Sequence, residues 1–190
     1  QEETCRRGGG TAPGAGGEEK DDFNAGGVYV MALPGAVFFD SATSFAIIRG
    51  GHVDVTVLGA LQVDQLGNLA SWMVPGKKVP GMGGAMDLVV GAKRVVVAME
   101  HTAKGNHKML SECTFPLAAA AVVDRIITDM GVIAVTPAGL ILREIADGIP
   151  VEDIQAATGA TLLIVPGMQP QEAAACADGH VGGICGRGRR

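Results

Sequence analysis

RVVVAME, residues 94–100, sets three valines in succession, so that a strand here is apolar on both of its faces. A strand with one solvated face alternates apolar and polar side chains; a continuous apolar run belongs to a strand covered on both sides, as in layered α/β sheets. GVIAVT (131–136), GLILREI (139–145) and TLLIVP (161–166) share this character, and VYVMAL (28–33) and VDVTVLGALQV (53–63) extend the set. Glycine and proline separate the runs, as turn residues do. Helical patterning is predicted over SATSFAIIRG (41–50), with Ser41 or Ser44 as the cap, and over AMDLVVGA (85–92), AAAAVVDRI (118–126) and PVEDIQAAT (150–158). In the last, Pro150 suits the first turn, and Glu152 and Asp153 complement the helix dipole. Buried strands interleaved with helices predict an α/β domain of three layers around a mostly parallel sheet.

Composition narrows the class of function. With 47% apolar residues in 190, the chain can bury one ordinary core. A net charge of −5 and only 4% aromatic residues argue against a nucleic-acid surface or a base-stacking platform. Cys5, Cys113, Cys176 and Cys185 show no CxxC spacing, so neither a zinc site nor a disulfide framework is expected, and a reducing, intracellular compartment fits. No apolar stretch is long enough to span a membrane without interruption. Residues 1–27 are rich in glycine and charge and read as mostly loop, residues 28–168 as the domain proper, and residues 169–190, ending GRGRR, as a disordered tail. A chain opening on Gln1 suggests a processed product or a fragment truncated at its amino end.

Glycines gather at the expected strand ends: LPGA (33–36), RGGH (49–52), VPGK (74–77) and GMGGA (81–85). In such sheets ligands bind beyond the carboxyl ends of the strands, where glycine lets backbone N–H groups approach an anion or a carbonyl oxygen; the plain alternative for each is a tight turn. Neither the dinucleotide nor the P-loop fingerprint occurs. Glu100, His101 and His107 lie close together, but their spacing is not that of a metal motif, and adjacent residues of a strand point in opposite directions. Lys104 and Lys108 offer charge to a phosphate or sit in a solvated strand exit. His52 reads as a structural histidine, with catalysis as the alternative.

The words LPGAVFFDSATSFAIIRGGHVDVTVLGALQVDQLGNLASWMVPGKKVPGMGGAMDLV, followed by VVAMEHTAKGNHKMLSECTFPL, closely resemble the β subunit of class I CoA-transferases of the 3-oxoacid (succinyl-CoA:3-ketoacid) type, and the likeness runs from about Asn24 to Pro166. The resemblance implies the three-layer, isomerase-like fold of that family, and a ping-pong transfer of CoA between acids such as succinate and acetoacetate. It implies an α subunit as partner in a heterodimer or α2β2 tetramer, with no nucleic acid or membrane. No tightly bound cofactor is implied; CoA is a substrate, held covalently in the intermediate. Cytoplasmic location suits a separate β subunit, and a mitochondrial matrix a fused one.

The family nucleophile is a glutamate in Gln-Ser-Glu-Asn-Gly-x-x-Gly-x-Gly, and the chain begins QEETCRRGGG. Gln1, Glu3, Gly8 and Gly10 match; Glu2, Thr4 and Cys5 depart, the last two replacing an Asn-Gly pair that shapes a tight turn. Glu3 is the implied nucleophile. A glutamate of ordinary acidity is ionised at pH 7 by about 500 to 1 and needs no general base. The backbone N–H at Gly84 is the implied oxyanion donor, with Gly83 and Ala85 keeping that space clear, Gly81, Gly83 and Ala85 as substrate- and CoA-binding positions, and Asp87 fixing the loop or capping the following helix. Family β subunits carry a further helix, strand and glycine loop before the motif. Two other readings remain at this stage: a CoA-binding or assembly subunit of the same family with impaired catalysis, and a sugar-phosphate isomerase or CoA hydrolase on the same fold.

Overall fold

The structure is a computed structural model that describes residues 6–9, 32–77, 79 and 81–164. The described elements are β1 (Arg6–Gly9), β2 (Ala32–Phe38), α1 (Ser41–Arg49), β3 (Thr56–Leu58), β4 (Gln62–Asp64), β5 (Leu69–Ala70), α2 (Ala85–Gly91), β6 (Val95–Ala98), β7 (Thr102–Ala103), β8 (Asn106–His107), β9 (Met109–Leu110), β10 (Arg125–Ile127), β11 (Gly131–Thr136), β12 (Gly139–Ile145), α3 (Val151–Ala157) and β13 (Leu162–Ile164). They fall into two compact units, the first ending at Ala46 and the second starting at Ile47.

In the first unit β1 pairs antiparallel with β2, Arg6 opposite Phe38 and Gly9 opposite Ala32, with an irregular register between Arg7 and Gly9. Two expectations change here. Residues 6–9 form a strand within a segment read as loop, and LPGA lies inside β2, with Gly35 at φ +87°, rather than in a turn beyond a strand. The α1 cap is also different: Asp40 Oδ1 accepts the Thr43 N–H at 2.7 Å, so the N-cap is Asp40 and neither Ser41 nor Ser44. That bond from the Thr43 backbone holds the exposed Asp40 carboxyl below its ordinary pKa.

The second unit is built on a six-stranded sheet in the order β13-β12-β11-β10-β6-β3. β3, β6 and β10 run parallel, β11 runs against β10 and β12, and β13 is parallel to β12. Only β11 opposes the others, which makes this the mostly parallel α/β sheet expected. Its parallel neighbours need crossovers, and α2 supplies one between β3 and β6 and α3 another between β12 and β13. Val95, Val97, Ile126, Ile133, Leu140, Leu142 and Leu162 point to one face and are buried with Val89 of α2 and Ile154 of α3. On the other face Val57, Ile127 and Leu163 keep two fifths or more of their surface.

The run 53–63, expected as one strand, is broken. β3 joins the large sheet, whereas β4 turns into a small sheet with β5 and β9. Its turn is organised by Asp64, fully buried, which accepts Leu66 N–H and Asn68 N–H on Oδ1 and Asn68 Nδ2 and Cys113 N–H on Oδ2, all between 2.8 and 3.1 Å. Gln62 Oε1 likewise accepts the backbone N–H of Thr114 and Phe115. The alanine-rich run 118–126 is not a helix. Ala118 N–H bonds the Leu69 carbonyl, Leu69 and Ala119 form an antiparallel bridge, and Ala121, at φ +52°, donates its N–H to Asn68 Oδ1. High alanine content favours a helix only when no tertiary partner claims the backbone; here the β4–β5 turn claims it, and the segment ends in β10.

Candidate active site

The candidate site is assembled around GMGGA, the lead-in to α2. Backbone freedom is needed at Gly81 (φ +108°) and Gly83 (φ +55°), and a Cβ at either would meet no atom within 4 Å. Their constraint is therefore conformational, since L-residues avoid this region. Gly84 differs: as the α2 N-cap it takes φ −85° and ψ 6°, open to most residues, and it is buried. Its carbonyl accepts Leu88 N–H at 3.0 Å, while among the described residues its own N–H has no acceptor. Ala85 opens the helix and turns its N–H back to the Met82 carbonyl at 3.4 Å. An N–H at a helix start, released from internal pairing, is the group that can bind a developing oxyanion.

The surroundings of α2 fix where this group sits. Gly91 packs on α1 so closely that a Cβ there would stand 2.2 Å from the Ile48 carbonyl oxygen. Val53 and Ala92 form a parallel bridge, and Lys93 N–H bonds the Val53 carbonyl at 3.1 Å. The carboxyl end of α2 thus lies beside the start of β3. A crossover helix runs back against its strands, which carries Gly84 toward their carboxyl ends, the ligand side of such sheets. Asp87 offers no side-chain cap to the helix; its Oδ1 accepts Arg49 Nε at 2.6 Å. Sequence reasoning passed over Arg49, which stands at the head of the RGGH motif but far from Asp87 along the chain.

Two other glycine motifs resolve as turns. Gly51, at φ +73°, ends α1 with its N–H on the Ile48 carbonyl and that of His52 on Ile47, a helix terminus of the glycine type. Gly76, at φ +78°, sits in a turn closed by Lys77 N–H on the Val74 carbonyl. His52 is exposed.

His101 and His107 are engaged by the fold rather than gathered with Glu100. His101 is buried; its Nδ1 meets Thr128 Oγ1 and its Nε2 meets Thr158 Oγ1, each at 2.9 Å, and its backbone N–H donates to Asp129. Burial pushes its pKa below the ordinary histidine value, with Asp129 opposing and His107 adding to the shift. His107 Nδ1 lies 2.6 Å from the Ala157 carbonyl oxygen and so carries the proton. Lys104 is an exposed residue at φ +51° in the β7–β8 turn, and burial lowers the pKa of Lys108 against the pull of Glu100 and Asp129. Cys113 is half-buried, and its thiol is pushed up to about 12 by burial and by Asp64, which keeps it protonated and inert. Among the described residues no cluster of ligand side chains could hold a metal, and no helix is long and apolar enough to cross a membrane. Glu3 lies outside the described residues, as do Thr4, Cys5 and the tail 169–190.

Comparison with known proteins gives this geometry a family. The coenzyme A transferase profile matches residues 1–157. The chain is 51% identical over 152 residues to acetate CoA-transferase subunit beta of Escherichia coli K12, a match covering 80% of this chain and 70% of that one. It is 50% identical over 157 residues to human mitochondrial succinyl-CoA:3-ketoacid coenzyme A transferase 2, covering 81% of this chain and 30% of the human protein. Among solved structures, the apoenzyme of the acyl-CoA transferase YdiF from Escherichia coli O157:H7 superposes with a TM-score of 0.63 at 25% identity, over 77% of this chain and 32% of that one. The chain thus spans about a third of the longer relatives and somewhat over two thirds of the separate β subunit. Profile, identity and fold agree that the chain belongs to the coenzyme A transferase family, as a class I β subunit.

Proposed function

We propose that the chain is the β half of a CoA-transferase that moves CoA from a short-chain or dicarboxylic acyl-CoA, such as succinyl-CoA, to a 3-oxoacid such as acetoacetate. Glu3 is the nucleophile. Its carboxylate attacks the thioester carbonyl and expels the CoA thiolate, leaving a mixed anhydride; the thiolate then reopens that anhydride at the Glu3 carbonyl, releasing the first acid and forming a glutamyl-CoA thioester. The second acid reverses these steps. Each attack places negative charge on a carbonyl oxygen, and the Gly84 N–H is the group of this chain that meets it, jointly with a side chain from an α subunit. The observation that carries this reading is the N–H of buried Gly84 at the start of α2, which has no acceptor among the described residues and follows two glycines at positive φ, where other residues are disfavoured. One such donor is worth about 3 kcal/mol in the transition state.

Relatives named for acetate and for succinyl-CoA with a 3-ketoacid support the substrate class. The test is a transfer assay with the α partner bound, pairing succinyl-CoA or acetyl-CoA with acetoacetate, in wild type and Glu3→Gln. Transfer that disappears with Glu3→Gln supports the proposal. Thr4 and Cys5 in place of the family Asn-Gly favour a second reading, a CoA-binding or assembly subunit without transfer; partner binding that survives with no Glu3-dependent turnover would establish it.

A further inference from the structure

We infer that Asp87, acting through Arg49, is a positioning residue for the Gly84 amide; the inference rests on the reading of that amide as the oxyanion donor. α2 has seven residues, too few to be stable or to hold a direction by itself. Its carboxyl half is secured by the backbone: Gly91 lies flush on the Ile48 carbonyl, Ala92 bridges Val53, and Val89 is buried in the core. The amino end has weaker restraints. Gly84 brings no side-chain cap, and the glycines before it have the widest conformational freedom of any residue. Among the described residues, the one side-chain hydrogen bond that reaches the first turn is Arg49 Nε to Asp87 Oδ1, at 2.6 Å.

Arg49 closes α1, the same element that carries the Ile48 carbonyl. Two adjacent residues, Ile48 and Arg49, therefore hold α2, by shape at its last turn and by charge at its first. Asp87 lies three residues beyond Gly84, one side of a helical turn away, so loosening it lets the first turn tilt about the fixed Gly91 contact. Such a tilt changes the aim of the Gly84 N–H while the core around Val89 stays closed. The pair is partly exposed, with 68% of the arginine and 24% of the aspartate side chain accessible, and pairs of that kind contribute little to global stability. Its effect should appear in the rate.

The experiment uses the full chain bound to its α partner, assayed with succinyl-CoA and acetoacetate. Asp87→Asn and Arg49→Gln are each expected to lower kcat about tenfold to a hundredfold, the cost of misplacing a reacting group by about an ångström, while KM and Tm hold. The double variant should lose no more than either single one, and exchanging the two charges should restore part of kcat. Asp54→Asn, which cuts the exposed pair of Asp54 with Lys93, serves as the control and should leave kcat unchanged. Losses that add, or that follow Tm, would overturn the inference. Gly84→Pro, at a φ close to that of proline, removes the N–H itself. If Gly84→Pro keeps full kcat, the oxyanion reading fails; if it abolishes kcat while Asp87→Asn is silent, the positioning role alone fails. Amide exchange reads the same point without turnover: Asp87→Asn should speed exchange at residues 84–87 and leave Val95–Ala98 unchanged, and equal exchange in both regions would refute it.

Discussion

Gly91→Ala tests the packing that places the candidate site. The new Cβ would stand 2.2 Å from the Ile48 carbonyl oxygen and 2.7 Å from its carbon, against a tolerable contact of about 3.2 Å, so α2 and α1 must part by about 1 Å. Overpacking of this kind costs about 1–3 kcal/mol. The same oxygen accepts the Gly51 N–H that ends α1, and losing this bond adds about 1 kcal/mol. Alanine returns about 1 kcal/mol through its higher helix propensity. The net expectation is a destabilisation of about 1–3 kcal/mol, read as a lower denaturation midpoint at unchanged slope. Gly59→Ala is the matched control, because a Cβ there meets nothing within 4 Å and its φ is not positive; it should change stability by less than about 0.5 kcal/mol. Because α2 carries Gly84, transfer activity should fall even where Gly91→Ala remains fully folded. A Gly91→Ala protein as stable as wild type would mean that the two helices do not meet as described.

Asp64→Asn keeps the shape of a buried carboxylate but turns an amide toward Asn68 Nδ2 or the Cys113 N–H, donor against donor, and should cost about 2–4 kcal/mol in denaturant titration. His101 is neutral in the fold with a pKa below its unfolded value, so acid favours the unfolded chain. Stability should decline as pH falls below about 6.5, by at most about 1.4 kcal/mol per pH unit from this group, until the folded imidazole itself takes a proton; His101→Gln should remove that share of the slope in titrations from pH 7.5 to 5. With its thiol pushed up to about 12, Cys113 should be alkylated by iodoacetamide at pH 8 about a thousandfold more slowly than an ordinary cysteine, as measured by peptide mass mapping of the folded chain.

The strands that were legible in the sequence are those whose partners lie nearby in the chain. β11 and β12 match GVIAVT and GLILREI residue for residue, because a tight turn at Gly139 joins two apolar runs that pair with each other. α3 was equally plain from Glu152 and Asp153 in its first turn, although Pro150 is its N-cap, at ψ 149°, and not part of that turn. The failures have a common cause in long-range pairing. Nothing local marks residues 118–123 as anything but helical; their backbone is taken by Leu69, Gly67 and Asn68, some fifty positions earlier. The break between β3 and β4 likewise depends on β9, which lies far ahead in the chain. At the site, GMGGA was legible as a place without side chains, but the reason differs along it. Gly81 and Gly83 answer to φ, whereas Gly84 is buried in an ordinary conformation. The partner of Asp87 was hidden because an ion pair between two helices leaves no mark in local spacing.

The proposed transfer stands on Glu3 as its nucleophile. The direct measurement is the mass of the chain after incubation with succinyl-CoA in complex with its α partner and without an acceptor acid. The account predicts a gain equal to CoA less one water, mapped to the peptide containing Glu3, absent in Glu3→Gln and released when acetoacetate is added. A folded complex that binds succinyl-CoA yet gains no mass, or gains it on a residue other than Glu3, would contradict it.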